Sequence, residues 1–203
     1  RKLQAKSLEA NPLIRIQGQV SANGLKQAQE VPLLSLVGQH ASGSTTYTAS
    51  FGIKNGRSEL SIQSQLQGLA LNLPAPLNKR ADEMVALRYD NAVPSQSGAV
   101  GNKAMRDVLQ FSWGRVFSTS YNRDISGSEP RVLNGRWWVG DAVTPSAVGV
   151  SESGVMATVS LPSLSVDEWL QIVAPPKNSA TEGLLQSASS STTQAYLPTR
   201  MSL

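Results

Sequence analysis

Few side chains of this sequence have the types and spacing that catalysis requires. His40 is the single histidine and lies in the polar stretch GQHASG. A Ser-His-Asp triad would also need a nucleophilic serine, and the nearest approach to a GxSxG turn, GVSES at residues 149–153, departs from it at the last position. The sequence therefore favours a solvated loop histidine over a catalytic one.

Adjacent carboxylates occur as Asp82-Glu83 and as Asp167-Glu168. Neighbouring side chains diverge on a strand or a helix, so neither pair converges on a substrate. The second pair falls in the first turn of a predicted helix, where negative charge interacts favourably with the helix dipole. The chain has no cysteine, no phosphate-cradling glycine loop and no plausible set of metal ligands. We expect no enzyme activity, no cofactor and no metal.

The basic charge of the chain does not predict nucleic-acid binding. The net charge is +4, but the 18 lysines and arginines are scattered, and the densest run, Lys79-Arg80, is soon followed by two acids. Aromatic side chains are typical of a β core as well as of base stacking, and we favour the core. They are Phe111, Trp113, Tyr121, Trp137 and Trp138. Because Trp137 and Trp138 are adjacent, they must point to opposite faces if they share a strand.

The ends and the composition describe a piece of a larger protein. Hydrophobic residues make up 40% of the 203 residues and charged residues 16%, and no window approaches the ~20 uninterrupted apolar residues of a membrane span. The chain opens on Arg1 without a signal-peptide pattern. We therefore expect an internal fragment whose membrane anchor, if there is one, lies elsewhere in the parent.

The clearest local prediction is a β-hairpin centred on Asn55-Gly56. Residues 46–53 alternate between polar and apolar, and Asn-Gly is the preferred pair for a two-residue type I′ turn. Pairing across that turn places Phe51 opposite Leu60 and Ala49 opposite Ile62, so that the apolar faces of the two strands coincide.

Beyond this hairpin the apolar phase slips by one residue near Gly68. Apolar residues that begin at Leu60 and Ile62 continue at Leu69, Leu71 and Leu73, before Pro74-Ala75-Pro76 ends the strand. A slip beside a glycine indicates a β-bulge or a strand that crosses between sheets. Because a one-residue slip changes the face, we expect the sheet to offer apolar side chains to both sides here.

Further apolar patterns complete a mainly β fold. Additional strands are predicted near residues 13–20, 85–89, 109–113, 117–121, 133–139 and 155–161, with the third and fourth either separate or one bent strand. A short helical turn is predicted over 24–29, and 33–37 fits a strand or a short helix. The strongest helix signal follows Ser165, which with Glu168 has the spacing of a capping box, and places Trp169 on an apolar helix face. The absence of a βαβ rhythm predicts an antiparallel, curved or groove-like sheet with one or two short helices.

We divide the chain by composition into three parts. Residues 1–11 form an incoming end, 12–173 a β-rich module, and 174–203 a Ser/Thr/Pro-rich linker or disordered tail.

Two segments of this module resemble YhdP-type proteins of the AsmA-like group. Residues 63–79, QSQLQGLALNLPAPLNK, are similar to the pattern S-x-L-x-G-[LVA]-x-[IL]-x-L-P-x-P-[LF]-x-K, which includes Gly68, Pro74 and Pro76. Residues 161–170, LPSLSVDEWL, are similar to the L-x-x-L-D-x-x-x-W-L ending of a β segment in that group, with Ser165 in place of the frequent Asp. Either residue serves as a helix N-cap.

The resemblance implies a periplasmic segment of an envelope protein that is anchored in the inner membrane of Gram-negative bacteria. Such proteins are expected to carry phospholipid along an apolar groove or to maintain the outer-membrane barrier. The expected partners are phospholipid acyl chains and neighbouring segments of the parent chain, with no nucleic acid. Candidate groove residues are Tyr47, Phe51, Leu60, Ile62, Leu69, Leu71 and Leu73. The alternative is a structural or protein-interaction module of the envelope without a lipid conduit of its own.

Overall fold

The computed structural model of the chain describes residues 13–28, 32–54, 57–93, 105–140, 153–173 and 196–202. The described elements are β1 (Leu13–Ser21), α1 (Ala22–Gln27), α2 (Pro32–Gln39), β2 (Ala41–Lys54), β3 (Arg57–Ser64), β4 (Leu69–Leu71), β5 (Leu87–Ala92), β6 (Arg106–Trp113), β7 (Phe117–Asp124), β8 (Arg131–Gly140), β9 (Gly154–Ser160), α3 (Val166–Val173) and β10 (Arg200–Ser202).

The strands of the described part form one open sheet. Its order is β1-β2-β3-β5-β6-β7-β8-β9-β10, with β4 paired to β2. All pairs are antiparallel except β8 with β9 and β9 with β10, which are parallel. Strand accounts for 55% of the structure and helix for 14%, so the predicted mainly β class is confirmed. Three helices are described where one or two were expected, because residues 33–37 belong to a helix.

The predicted hairpin register is confirmed. Strands β2 and β3 pair Phe51 with Leu60 and Ala49 with Ile62. The turn residues Asn55 and Gly56 lie outside the described residues. Strands β6 and β7 are also separate and antiparallel, joined beside Gly114, whose φ of 53° is readily adopted by glycine.

The slip at Gly68 is a local insertion between β3 and β4. Between the pairs Ser64–Tyr47 and Leu69–Gly43, the four residues 65–68 span the same interval as the three residues 44–46 of β2. Gly68 has a φ of 89°, and a Cβ atom there would lie 2.5 Å from the carbonyl oxygen of Ser44. Glycine is therefore required where the two backbones approach each other.

The extra residue cancels the change of phase that the sequence shows. Leu69 and Leu71 pair with Gly43 and Ala41, which are an even number of residues from Tyr47 in β2. These leucines pack with Leu87, whose cross-strand partner in β3 is Ser64. The expectation that the sheet offers apolar side chains to both sides here is thus wrong, since a bulge of one residue restores the original face.

The predicted tail contains ordered structure. Strand β10 lies within residues 196–202 and pairs in parallel with β9. Residues 1–11 and 174–195 lie outside the described part of the chain.

Candidate functional site

One face of the sheet carries three rows of mostly apolar side chains. Directly opposed residues on neighbouring strands point to the same face, so the strand registers define each row. The first row is Ile14, Phe51, Leu60, Asn91, Leu109, Tyr121, Gly135 and Val155. The second is Ile16, Ala49, Ile62, Tyr89, Phe111, Thr119, Trp137 and Ala157. The third is Gly18, Tyr47, Ser64, Leu87, Trp113, Phe117, Val139 and Val159. We call these three rows the apolar strip.

The opposite face of the same strands is polar. The row between the first two rows of the strip is Arg15, Ser50, Ser61, Asp90, Gln110, Ser120, Arg136 and Met156. Trp138 lies on this face and Trp137 on the strip, as their adjacency predicted. The sheet therefore has two chemically distinct sides, which is the pattern of a surface that shields apolar material from water on one side only.

The dimensions of the apolar strip suit extended hydrocarbon chains. Four residues separate the first row from the third, which corresponds to roughly 13 Å along each strand. The strip crosses eight strands, and their seven spacings of about 4.8 Å give a length of roughly 34 Å across the strands. One leaflet of a bilayer has a hydrocarbon thickness of about 15 Å, half of the ~30 Å core. The strip is thus about one acyl layer wide.

Exposure to solvent changes from one end of the strip to the other. Near β1 and β2 the apolar side chains are open to water, with Ile14 56% exposed and Phe51 38% exposed. On β7 and β9 the apolar side chains of the first two rows are covered, with Tyr121 4% exposed, Val155 2% exposed and Ala157 2% exposed. We call these parts the open end and the covered end.

A network of polar side chains borders the first row at the covered end. Asp107 and Arg123 are opposite each other on β6 and β7 and continue the phase of Leu109 and Tyr121. Arg123 donates to both carboxylate oxygens of Asp107, with Nε 2.9 Å from Oδ1, and Asn91 donates to Oδ2 at 3.1 Å. Both members of the ion pair are buried.

The arginine of this pair remains charged. Burial by itself lowers the pKa of Arg123, but hydrogen bonds to Asp107 and Tyr196 outweigh it and raise the pKa above the ordinary arginine value. A buried ion pair that satisfies itself in this way contributes little net stability, whereas loss of one partner leaves the other charge buried and uncompensated.

Tyr196 covers this end of the strip from the far end of the chain. Its ring stacks edge-on against Tyr121 at a centroid distance of 5.1 Å. The hydroxyl of Tyr121 donates to the backbone carbonyl of Tyr196 at 2.9 Å, and Nη1 of Arg123 donates to its hydroxyl at 3.2 Å. Trp137 in turn donates its indole N–H to the Tyr121 hydroxyl. We call the six residues Asn91, Asp107, Tyr121, Arg123, Trp137 and Tyr196 the Arg123 network.

A hydrophobic cluster borders the opposite side of the strip. Its buried members, which we call the end cluster, are Ala22, Ala41, Leu66, Leu69, Leu71 and Leu73. Leu87 and Trp113 of the third row pack against it. The strip is therefore bordered by leucines beside Leu87 and Trp113 on one long side and, at its covered end, by polar groups on the other.

Lys79 is buried beside the end cluster. Its backbone pairs with Leu71, and its ammonium donates to the carbonyl oxygens of Leu69 at 2.7 Å and Arg80 at 2.8 Å. Desolvation lowers the pKa of Lys79, partly offset by the nearby carboxylates of Glu83 and Asp82. The ammonium thus ties the proline-containing segment to β4.

The predicted groove residues fall into two groups. Tyr47, Phe51, Leu60 and Ile62 belong to the apolar strip. Leu69, Leu71 and Leu73 are buried in the end cluster, where they pack with Ala22 of α1, and are not on the exposed part of the strip.

The two segments that carry the family resemblance meet in space. The indole of Trp169 on α3 donates to the carbonyl of Ala75, between Pro74 and Pro76, at 2.9 Å. Helix α3 begins at Val166, directly after Ser165, and has Glu168 in its first turn. His40 lies between α2 and β2, where its backbone carbonyl accepts from the N–H of Asn72.

Asp107, Arg123 and Tyr196 were not among the residues singled out from the sequence. Extending the alternation of Leu109 and Tyr121 by one step would have placed Asp107 and Arg123 on the apolar face of predicted strands. Tyr196 has no local signal, because its contacts join residues far apart in sequence.

The described residues hold no group of three or more His, Cys, Asp or Glu side chains that could bind a metal ion. None of the helices in the same part of the chain is long and apolar enough to cross a membrane.

A family model described as YhdP protein matches residues 3–203. The chain belongs to the YhdP family. At the level of the family, this YhdP chain is a lipid-transport-related envelope protein, and the family is transport-related and not enzymatic. The match extends past residue 173 to include β10, so the YhdP region is longer than the resemblance in the sequence indicated. No curated protein and no solved structure matches the chain significantly.

Proposed function

We propose that the chain is a non-catalytic module that carries phospholipid along its apolar strip, in the periplasmic part of an inner-membrane-anchored envelope protein. The observation that carries this proposal is the separation of the two faces: three mostly apolar rows continue across eight strands while the opposite face is polar. Membership of a lipid-transport-related family supports it.

The energetic basis is the hydrophobic effect. Each methylene kept out of water contributes about 0.8 kcal/mol, so a continuous apolar surface lets acyl chains leave a bilayer without full exposure. The open end of the strip supplies apolar side chains that are still in contact with solvent, including Ile14, Ile16 and Phe51. These side chains are available to a hydrocarbon ligand without any rearrangement of the sheet.

The expected orientation of a lipid follows from the borders of the strip. Its acyl chains lie across the three rows towards the end cluster, and its head group lies near the first row, where water and polar side chains are within reach. The neighbouring segments of the parent chain extend the same surface on either side.

Lipid retention by adjacent residues on opposite faces tests the proposal. In β2, Phe51 lies on the strip and Ser50 lies on the polar face. Phe51→Asp places a charge against bound hydrocarbon, and we expect it to lower the phospholipid that co-purifies with the chain by about tenfold or more, measured by native mass spectrometry. Ser50→Asp, the matched control, should retain wild-type lipid.

Equal lipid content in the two variants, or lipid-free wild-type protein, would contradict the proposal. Lipid-free protein that instead binds a single envelope protein saturably would support the alternative of a structural interaction module.

A further inference from the structure

We propose that Tyr196 stands in for a ligand at the covered end of the strip, in a site for an amphiphile with an anionic head group. The proposal rests on the proposed function, since it concerns the same apolar strip. The contacts of Tyr196 divide into those that hydrocarbon could replace and those that an anion could replace.

The ring of Tyr196 takes the position of hydrocarbon. It lies edge-on against Tyr121, which belongs to the first row of the strip. Without the ring, Tyr121 would present an apolar surface continuous with Leu109 and Val155 through its row. An alkyl chain that lies across the three rows, with its head group beside Arg123, would contact this surface where it crosses the first row.

The hydroxyl of Tyr196 takes the position of an anion. Arg123 uses Nε and Nη2 on Asp107, and its remaining nitrogen, Nη1, donates to the Tyr196 hydroxyl. A phosphate or carboxylate oxygen accepts a charge-assisted hydrogen bond from guanidinium, which is stronger than the bond to a neutral phenol. The Nη1 donor would therefore make a stronger hydrogen bond to an anionic head group than to the tyrosine hydroxyl that now occupies the position.

Tyr196 can leave without unpairing the sheet. The segment that carries it is held independently at Thr199, whose backbone N–H donates to the carbonyl of Val155 at 2.8 Å, and at β10, which pairs with β9. Leu197, the next residue, is 51% exposed. Removal of the tyrosine side chain thus opens the site and leaves the attachment of the segment in place.

Binding of three simple amphiphiles to the full 203-residue chain tests the inference. The probes are dodecyl phosphate, dodecanoate and dodecanol, with inorganic phosphate as a fourth arm, and binding is measured by isothermal titration calorimetry. Because a site that is filled by its own side chain binds in proportion to the fraction that is open, we expect Tyr196→Ala to tighten the binding of dodecyl phosphate roughly tenfold. Leu197→Ala, the matched control, should bind as the wild type does.

The other arms decide the ligand class. Dodecanoate should share the gain in affinity if any anionic head group suffices, whereas a gain confined to dodecyl phosphate assigns the site to phosphate esters. An equal gain for dodecanol would overturn the anionic assignment, and binding of inorganic phosphate as tight as that of dodecyl phosphate would overturn the amphiphile. Tyr196→Phe keeps the ring and loses the hydroxyl, so it should give a smaller gain than Tyr196→Ala and serves as the test if the alanine variant does not fold.

Different binding results would overturn the site at Tyr196 and the proposed function of the strip. Dodecyl phosphate binding that Phe51→Asp abolishes and both Tyr196 variants leave unchanged would overturn the site at Tyr196 and leave the strip as a lipid surface. Absence of binding in the wild type and in every Tyr196 variant would contradict both.

Discussion

The two ends of the apolar strip are built alike and differ in what covers them. At both ends, apolar side chains recur at every second residue of consecutive strands and align across the sheet. At the open end Ile14, Ile16 and Phe51 contact solvent, whereas at the covered end Tyr121, Val155 and Ala157 are almost completely buried. The alternation of apolar residues along the strands therefore does not determine whether their side chains are buried.

The difference arises from contacts over long sequence separations. Tyr196 reaches back to Tyr121 and Arg123, and β10 adds a strand beyond β9. A matched detail makes the contrast sharper: the ring of Tyr47 lies over Gly18 at the open end, and the ring of Tyr121 lies over Gly135 at the covered end. The same local arrangement is thus partly exposed in one place and enclosed in the other.

The largest effect is expected from breaking the ion pair of the covered end. Asp107→Ala leaves the Arg123 guanidinium buried without its carboxylate, and we expect a loss of about 3–5 kcal/mol in the free energy of unfolding, measured with urea. The control is Asp82→Ala, which removes the partner of Arg80 in a pair that is exposed on both sides. Similar losses in the two variants would show that the covered end is not enclosed.

A smaller effect is expected at the two glycines that lie under tyrosine rings. A Cβ at Gly135 would come within 2.5 Å of Cδ1 of Tyr121, which is enclosed and cannot move away, so Gly135→Ala should cost about 1–3 kcal/mol of stability. At Gly18 the nearest atoms are at the far end of Tyr47, which is only partly buried, so Gly18→Ala should cost less. Thermal unfolding of both variants measures the difference. Equal losses of stability would contradict the conclusion that Tyr121 is enclosed and Tyr47 is not.

The smallest effect is expected from truncating aliphatic side chains in the strip. Val155→Ala removes two buried carbons and should cost about 1.5 kcal/mol. Ile16→Ala at the open end removes more carbon, yet the side chain is exposed and the change should stay within about 0.5 kcal/mol. Chemical denaturation compares them, and a larger loss for Ile16→Ala would reverse the contrast between the ends.

Local patterns predicted much of the sheet. The Asn55-Gly56 pair and the alternation around it were sufficient for the register of β2 and β3, because turn length and a shared apolar face leave one alignment. Helix α3 followed from Ser165 and from the spacing of Trp169 and its apolar neighbours. The helix α2 stayed ambiguous, since a short apolar run fits either a strand or a helix.

The sequence alone does not predict which residues pack together across long separations in the chain. The slip at Gly68 was visible, but its effect on the face depended on the interval of β2 opposite it, so Leu69, Leu71 and Leu73 were assigned to a groove instead of the end cluster. The Arg123 network was missed because a charged side chain on an apolar face is interpretable only once its partner is known. Tyr196 lies in a segment whose composition indicated a linker.

Site-specific photocrosslinking along β2 is the most direct test of the central claim that the strip contacts acyl chains. A photoreactive residue is placed in turn at positions 47 to 53 in the full chain, which is then incubated with phospholipid vesicles and irradiated. We predict crosslinks to lipid at Tyr47, Ala49, Phe51 and Ile53 and none above background at the alternating positions, because a strand presents every second residue to one face. Crosslinks of equal yield at odd and even positions, or at none of them, would contradict the account.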